Sequence, residues 1–400
     1  MITVRPSKPL AVAAACGILL ATGCTPNASA EAPDGAVGEL SVTSTSEDCA
    51  VSAATAESGP LTFAITNSGD QVTEFYLLAD DGLRIVSEVE NIGPGISRNL
   101  VVNAIPGSYF TVCKPGMVGD GVGRASFTVT DSGSAVEPSG DEQARIDAAV
   151  TNYKAYVKDQ VDQLLTSTED FAAAYVAGDD DEARRLYPTT RVHFERVEPV
   201  AESFGDLDPK LDNREADLAD GEVWTGWHRI EKDLWPPADA GYTPLTQAER
   251  DAVAAQLVED TTTLHSSIQG IELSLDQLAN GAIALMDEVA NGKVTGEEEI
   301  WSGTDLWDFQ GNVEGARVLF DGLRDLLEAK DPELVASLDA DFTSLSTELD
   351  RHRTSAPDAA QRDITYVTYS ELSPEDVKAL SDRVNALSEP LSRITAALLG

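Results

Sequence analysis

The sequence predicts a multidomain protein with two fold classes, an all-β sandwich followed by an all-α helical bundle. Before residue 131, apolar and polar side chains alternate over short runs rich in β-branched and aromatic residues, which is typical of strands. After residue 140, apolar side chains recur every three or four positions, which is typical of helices. Residues 132–140 are rich in Gly, Ser and Pro, and we predict that they form a linker between the two domains.

Residues 1–24 have the pattern of a lipoprotein signal peptide. Arg5 and Lys8 precede an almost wholly apolar run that ends in Leu20-Ala-Thr-Gly-Cys24. The run is too short for a permanent membrane span, so we expect cleavage before Cys24, acylation of this cysteine and anchoring to the outer face of the cell membrane. Ala21 stands where a lipobox usually has a larger aliphatic residue, and simple secretion after cleavage at another bond is the alternative.

The predicted sandwich follows a short polar segment. Residues 25–38 are small, polar and proline-bearing, which favours a flexible stalk. Within residues 39–131, five runs have the strand pattern, and Gly, Pro and Asn separate them. The runs are 61–66, 72–78, 99–103, 109–113 and 125–130. Runs of this length and spacing predict an all-β sandwich of roughly a hundred residues.

Residues 141–400 are predicted to be helical. From Ile146 to Leu164, and again from Leu380 to Leu398, apolar residues recur at intervals of three and four and form one buried stripe on each helix. Further helices are predicted at 181–204, 214–233, 246–291, 311–329 and 332–353. Seven or eight long helices indicate packed bundles.

The charge of the chain limits its partners. It has 28 basic and 69 acidic residues, a formal net charge of −41. A field of this sign repels phosphate backbones, which excludes nucleic acid as a partner, and it concentrates cations near the protein surface. The alternative interpretation is that the acidic surface serves only solubility.

The predicted sandwich contains the two cysteines that remain after the signal peptide, Cys49 and Cys113. In an oxidising compartment such a pair usually forms a disulfide. The alternative is a cation site in which Cys49, Cys113 and Met117 join Glu74 and Asp120. The 4 histidines all lie in the helical region, so the sandwich lacks the two imidazoles of a blue-copper site.

Two groups of helical residues are candidate metal ligands. His228 and Glu231 are three positions apart, so both side chains lie on one helical face and can bind one cation. Such a pair can equally be a salt bridge on a helix surface. Glu195, Glu198 and Glu202 are spaced by three and four, and carboxylates on one face are either solvated or gathered round a cation.

The common motifs of hydrolytic and nucleotide-dependent enzymes are missing from the sequence. A zinc peptidase helix carries His-Glu-x-x-His or its inverse, and the inverse would need a histidine at Lys232. Gly-x-Ser-x-Gly, a phosphate loop and a dinucleotide fingerprint do not occur either. We therefore expect that the protein is not an enzyme.

Five long phrases of the sequence resemble the EfeO-type family. They are Val72-Thr-Glu-Phe, Val86-Ser-Glu-Val-Glu-Asn-Ile-Gly-Pro-Gly95, Cys113-Lys-Pro-Gly-Met-Val-Gly-Asp-Gly121, Glu195-Arg-Val-Glu-Pro-Val-Ala-Glu-Ser-Phe-Gly-Asp-Leu-Asp-Pro209 and Thr304-Asp-Leu-Trp-Asp-Phe-Gln-Gly-Asn-Val313. The resemblance extends from about residue 40 to the C-terminus. It implies a cupredoxin-like domain fused to an imelysin-like helical domain, in an extracytoplasmic component of the Efe iron-uptake system.

The resemblance also implies metal ligands in the helical domain. The imelysin pattern Gly-x-His-x-x-Glu falls on His228 and Glu231, which makes both of them expected ligands. Asp287 matches an acidic position of the same site. We add Glu195 and Glu198 to this expected site. Their spacing places both side chains on one face of a helix, and they belong to one of the phrases that resemble the family.

In the β domain, Glu74, Cys49 and Cys113 match family positions of a second metal site. With Asp120, they would form a site for copper, zinc or another divalent cation. The disulfide between the two cysteines stays the alternative at this point.

The function implied by the resemblance is capture of ferric or ferrous iron outside the membrane. Delivery to a membrane permease would follow, alongside a secreted haem peroxidase of the same system. One imidazole with several carboxylates is a hard, oxygen-rich ligand set that suits iron, although calcium, manganese or zinc also satisfies it. The alternatives from other classes are a cation-dependent polysaccharide-binding lipoprotein and a metallopeptidase.

Overall fold

The structure is a computed structural model of the chain. It describes residues 38–117, 119–133, 140–205, 207–219, 221–237, 241–356, 359–360 and 363–399. The chain divides into two units, Met1–Ala36 and Val37–Gly400, and every element below belongs to the second. The predicted signal peptide with Cys24, nearly all of the predicted stalk and most of the predicted linker lie outside the described residues.

The N-terminal part of the described chain consists of two β-sheets. The strands are β1 (Glu39–Ser44), β2 (Cys49–Val51), β3 (Thr55–Glu57), β4 (Gly59–Asn67), β5 (Thr73–Leu78), β6 (Ile85–Ile92), β7 (Ser97–Ala104), β8 (Gly107–Cys113) and β9 (Val122–Thr130). One sheet has the order β2-β1-β4-β7 and the other β3-β9-β8-β5-β6. β1 pairs with β4, and β3 with β9, in parallel, and the other pairings are antiparallel. The five predicted runs lie on β4, β5, β7, β8 and β9.

The two sheets pack face to face around an apolar core. Phe63, on β4 of the first sheet, is fully buried and contacts Phe75 and Phe127 of the second sheet, with ring centroids 5.1 and 5.6 Å apart. These separations are typical of favourable aromatic pairs. Along β4, the buried side chains of Leu61, Phe63 and Ile65 alternate with more exposed ones, as the period-two pattern predicts.

The rest of the described chain is helical. The helices are α1 (Gly140–Ala177), α2 (Asp180–Glu195), α3 (Glu198–Glu202), α4 (Leu207–Asp212), α5 (Gly226–Leu234), α6 (Gln247–Ile268), α7 (Leu275–Asn291), α8 (Asp305–Lys330), α9 (Pro332–Leu349), α10 (Pro374–Leu391) and α11 (Ile394–Leu399). They share one apolar core. The predicted fold class, an all-β sandwich followed by an all-α helical domain, is confirmed.

Three predicted helices are divided or shorter in the structure. The stretch 181–204 is divided into α2 and α3. The stretch 246–291 is divided into α6 and α7, because Ser274 starts a new helix with a capping box. Its hydroxyl accepts a hydrogen bond from the Gln277 amide, and the Gln277 side chain accepts one from the Ser274 amide. Of the stretch 214–233, only the part from Gly226 onward is α-helical.

Helices α2 and α8 approach each other unusually closely where the buried charged residues lie. A Cβ atom on Gly315 of α8 would meet the carbonyl oxygen of Arg196, just after α2, at 2.4 Å. Only a glycine allows this approach, which brings Asp308 and Asn312 of α8 next to Glu195 at the end of α2.

Helix α7 connects the helical domain to the sandwich. Asn280 donates hydrogen bonds to the Val101 carbonyl oxygen at 3.0 Å and to the Ser87 hydroxyl at 3.1 Å, and the Asn103 amide donates one to Asp276 at 3.0 Å. The two domains therefore share a polar contact surface. Among the described helices, none is long and apolar enough to cross a membrane.

Candidate metal centre

Helix α5 places His228 and Glu231 in the core of the helical domain. Both side chains are fully buried, three residues apart on one face of the helix. The helix begins at Gly226, whose φ of 82° lies in the left-handed region and whose Cβ, if present, would meet the Leu211 carbonyl oxygen at 2.2 Å. The glycine of the Gly-x-His-x-x-Glu pattern thus allows α5 to start directly against α4.

Each ring nitrogen of His228 faces two carboxylates. Nε2 lies 3.5 Å from Asp212 Oδ1 and 3.5 Å from Glu298 Oε1. Nδ1 lies 3.3 Å from Glu231 Oε2 and 3.8 Å from Glu299 Oε1. Among the described residues, these are also the two sets of histidine and carboxylate side chains whose ligand atoms are close enough together to hold a metal ion.

The two sides of the imidazole differ in hydrogen bonding. Nδ1 has a hydrogen-bond partner in Glu231, whereas Nε2 is buried and has no hydrogen-bond partner among the described residues. A buried polar atom without a partner is costly unless a ligand completes it. We therefore regard Asp212, His228 and Glu298 as the better ligand set, which we call the Nε2 site, with Glu231 fixing the imidazole through Nδ1.

Glu231 also connects α5 to the loop before α8. Its Oε1 accepts hydrogen bonds from the backbone amides of Trp301 at 3.0 Å and Ser302 at 2.7 Å. Glu298 and Glu299 belong to the same loop, and Glu299 accepts a hydrogen bond from the Ser302 hydroxyl at 2.9 Å. One carboxylate therefore orients the histidine and also holds the loop that supplies the other acidic ligands.

A fully buried arginine balances part of the negative charge. Arg191 of α2 forms ion pairs with five carboxylates. They belong to Glu195, Asp212, Glu298, Glu299 and Asp308. Both Asp308 oxygens are buried and lack a hydrogen bond within the described part of the chain. Lys293, which is also fully buried, lies 3.4 Å from Glu195 and 3.8 Å from Glu298. Two basic side chains thus face five carboxylates, and a bound cation would relieve the remaining crowding of acidic groups.

The proton affinities of the cluster follow from burial and from this crowding. Burial raises the pKa of Glu299 and of Asp308 well above the usual range of a carboxyl group. Burial and Arg191 both favour the neutral form of His228, but the nearby carboxylates of Glu231, Glu298 and Asp212 raise its pKa to about 10. Without a metal ion the cluster holds protons, and a cation that binds there must displace them.

Glu195 and Glu198, which we predicted as ligands of the His228 site, lie next to it in a different group. Glu195 Oε2 and Glu198 Oε1 are both 3.4 Å from Nζ of Lys293, which is fully buried. The side-chain amide of Asn312 donates hydrogen bonds to both carboxylates, at 3.2 and 2.9 Å. Glu195 also pairs with Arg191 at 2.5 Å. The contacts of these two carboxylates are thus with Lys293, Arg191 and Asn312, rather than with His228.

Asp287 lies outside both sets of ligand atoms around His228. It pairs with Arg98 of β7, across the contact between the sandwich and α7. Burial raises the pKa of Asp287 from its usual value, while Arg98 opposes this shift. The structure thus corrects the expected grouping of Asp287 with His228, because α7 turns this carboxylate towards the sandwich.

The thiolate site predicted for the sandwich is wrong, because Cys49 and Cys113 form a disulfide that links β2 to β8. Neither sulfur is then available as a thiolate ligand. Glu74 is buried and accepts a hydrogen bond from the Tyr76 hydroxyl, and burial raises its pKa. Asp120 lies in an exposed loop. The four residues therefore do not form the predicted set of ligands.

The acidic partners of His228 at Nε2 were not among the residues predicted from the sequence. Asp212 ends α4, and Glu298 and Glu299 lie about 70 residues beyond His228 in an irregular loop. Periodicity cannot connect residues so far apart. The run Glu297-Glu-Glu299 after Gly296 was the available signal, since three adjacent carboxylates in a loop of an otherwise helical region are unusual.

Comparison with known proteins gives two findings. Residues 149–394 match the model of the imelysin family, also designated peptidase M75. The chain is 36% identical over 365 residues to the iron uptake system component EfeO of Escherichia coli strain K12. The aligned residues cover 90% of this chain and 92% of the relative. Proteins of the same name from Shigella flexneri and Shigella sonnei have the same identity and coverage.

Proposed function

This chain belongs to the imelysin family, and from that premise we propose that it binds iron outside the cytoplasm for an Efe-type uptake system. The observation that carries the proposal is the buried Nε2 atom of His228, which lacks a hydrogen-bond partner and faces the carboxylates of Asp212 and Glu298. An imidazole with carboxylates is a ligand set that suits iron. The relatives named as iron uptake components support iron as the cargo.

Several finer features belong to the same proposal. We propose that the protein passes its iron to a membrane permease and works beside a secreted haem peroxidase. We also propose that acylated Cys24 anchors it to the outer face of the cell membrane. The export pattern around Cys24 and the similarity to iron uptake system components support this placement. Ferric and ferrous iron are both compatible with the ligand set.

The proposed role is binding and not hydrolysis, although the family is also designated as a peptidase. A metallopeptidase must bring a peptide carbonyl to the metal and activate a water beside it. His228 and Glu231 are fully buried, and Asp212 and Glu298 are nearly so. Such a centre suits a small ion better than a polypeptide. A casein digestion that His228→Ala abolishes would contradict the proposal.

A polysaccharide-binding role is the second candidate, and one surface feature favours it. An open cavity of about 490 Å³ is lined by Trp235 and Trp301, with Arg184 beside them. Aromatic side chains beside basic groups suit an acidic sugar, and Arg184 and Lys232 lie over the Trp235 and Trp301 rings at 5.9 and 5.1 Å from the ring centroids. Chelator-sensitive binding of an acidic polysaccharide, without affinity for iron alone, would support this role instead.

The experiment that tests the proposed function is a titration of the chelator-stripped protein with ferrous iron under anaerobic conditions and with ferric iron. Magnesium serves as the competitor. We expect tight iron binding that is lost when His228 and Glu231 are both replaced by alanine, and weakened by Asp212→Asn. Asp287→Asn is the matched control, because it removes a buried carboxylate outside the Nε2 site and should leave the affinity unchanged.

Each outcome of the titration has a definite meaning. Iron affinity that survives the double alanine variant would place the metal elsewhere and contradict the proposed centre. An effect of Asp287→Asn as large as that of Asp212→Asn would restore the ligand set predicted from the sequence. If the unaltered protein binds no iron, the proposed function is wrong.

A further inference from the structure

A second carboxylate group lies beside the Nε2 site, and a lysine occupies its centre. Lys293 Nζ is 3.4 Å from oxygens of Glu195, Glu198 and Glu288, and 3.8 Å from Glu298 Oε1. The four carboxylates come from α2, α3, α7 and the loop before α8. We call these four residues the lysine cage.

The lysine cage is wider than the hydrogen bonds of an ammonium group require. N–H···O bonds have donor–acceptor distances of about 2.7–3.2 Å. All four oxygens around Lys293 lie farther away, at 3.4–3.8 Å. The ammonium donates long hydrogen bonds of 3.4 Å to Glu198 and Glu288, and it is a central positive charge among all four acidic groups. Carboxylate oxygens from several directions are also what a hard metal ion prefers.

A buried amide of α8 borders the lysine cage and has an oxygen without a hydrogen-bond partner in the described part of the chain. Asn312 is fully buried, and its Nδ2 group donates hydrogen bonds to Glu195 and Glu198. Its Oδ1 atom is buried without a hydrogen-bond partner among the described residues. A fixed amide oxygen beside carboxylates is a further oxygen ligand of the type that calcium and manganese ions accept.

The lysine cage and the Nε2 site share a carboxylate. Glu298 Oε1 lies 3.5 Å from His228 Nε2 and 3.8 Å from Lys293 Nζ. A metal ion at Nε2 and a second ion in the cage would therefore be neighbours bridged by Glu298. The tethered ammonium competes directly with such a second ion, since two cations in one cage repel each other.

We propose that Lys293 occupies a second cation site and thereby limits this chain to one bound metal ion. Removal of its charge opens the cage of Glu195, Glu198, Glu288 and Glu298 to a second divalent cation. This inference rests on the proposed function, because it concerns a neighbour of the proposed iron ion. It assigns to Glu195 and Glu198 the role of holding a built-in cation instead of the iron.

The test is to count the manganese(II) ions bound by the chelator-stripped full chain with and without Lys293→Met. Methionine has no charge, and its side chain is one atom shorter than that of lysine, so the position of Nζ at the centre of the cage becomes free. We expect one tightly bound ion in the unaltered protein and two in the variant. The two ions should also be magnetically coupled in the electron paramagnetic resonance spectrum, because Glu298 bridges them. This coupling separates the cage from weak sites on the acidic surface.

Two further variants keep the test interpretable. Lys154→Met is the matched control, because it removes a lysine charge from a partly exposed ion pair with Glu272 and should still bind one ion. Lys293→Met combined with Glu288→Gln removes one charge of each sign, which protects folding if the single variant is unstable. Three carboxylates and Asn312 then remain, and we still expect two ions.

The outcomes distinguish the two proposals. A folded Lys293→Met protein, or a folded double variant, that binds only one ion would overturn the second site and leave the proposed function intact. Two ions without magnetic coupling would also overturn it, because the second ion would then lie outside the cage. An unaltered protein that binds no tightly held ion would contradict the proposed function itself.

Discussion

Replacement of Glu231 by glutamine or alanine separates its two roles. One oxygen, Oε1, accepts hydrogen bonds from the amides of Trp301 and Ser302, and the other faces Nδ1 of His228 at 3.3 Å. The first contact holds the loop before α8. The second keeps a proton on Nδ1, so that Nε2 is free to bind a cation.

Glu231→Gln should keep the loop and lose the orientation of the histidine. The amide oxygen of glutamine can still accept the hydrogen bonds from Trp301 and Ser302, and its NH₂ group then faces Nδ1. A donor in that position forces Nδ1 to accept a hydrogen bond and moves the proton of neutral His228 to Nε2. The loss of such an orienting partner typically weakens metal binding by about 10- to 100-fold, which corresponds to about 1.4–2.7 kcal/mol.

Glu231→Ala should destabilise the metal-free protein as well. It leaves the amides of Trp301 and Ser302 without their partner in a largely buried loop. Each buried group without a hydrogen bond costs about 1–3 kcal/mol, so we expect the free energy of unfolding to fall by about 2–6 kcal/mol. The glutamine variant should retain most of this stability.

The assay combines two measurements on the same three proteins. Urea denaturation after chelation gives the free energy of unfolding, and anaerobic titration with ferrous iron gives the affinity. A glutamine variant that binds iron within twofold of the unaltered protein would refute the argument about the histidine tautomer. An alanine variant as stable as the unaltered protein would refute the argument about the loop.

Three further predictions concern stability. Replacement of Cys49 and Cys113 by alanine should lower the free energy of unfolding of the sandwich by about 4 kcal/mol, because the disulfide joins residues 64 positions apart. The affinity for iron should stay the same. An unchanged urea midpoint would contradict the expected loss of stability, and altered iron binding would contradict the expected independence of the metal site. Gly315→Ala should destabilise the protein by about 1–3 kcal/mol, because the Cβ of the alanine would meet the Arg196 carbonyl oxygen at 2.4 Å. This is the opposite of the usual effect of alanine in a helix. A raised melting temperature would show that α8 can move away from α2 at no cost. Burial and Arg196 lower the pKa of His193 from 6.5 to about 4. The unfolded chain therefore binds a proton at His193 more tightly than the folded chain does, and the free energy of unfolding falls as the pH drops from 6.5 to about 4. His193→Gln should reduce this loss by about 1–3 kcal/mol in urea denaturation between pH 7 and 4, and an unchanged pH dependence would exclude His193 as its source.

Local patterns in the sequence were sufficient for the fold class and for part of the site. The change from period two to the helical period near residue 131 reflects which side chains each element must bury, and this is a local property. The spacing of His228 and Glu231 placed both on one face of a helix, as in the structure. For Cys49 and Cys113, the sequence left a disulfide and a metal pair open, since spacing along the chain does not fix the distance between two sulfur atoms.

Only the tertiary structure decided which residues surround His228. Asp212 and Glu298 come from an α4 terminus and a loop that the packing of α5 and α8 brings together, and no period in the sequence relates them to the histidine. The same packing gave Glu195 and Glu198 to Lys293. A helical repeat determines which side chains share a face of one helix, whereas the partner of that face depends on how separate helices pack. The sequence therefore determined that His228 and Glu231 share one helical face, and the tertiary structure determined that Glu231 faces Nδ1 while Asp212 and Glu298 face Nε2.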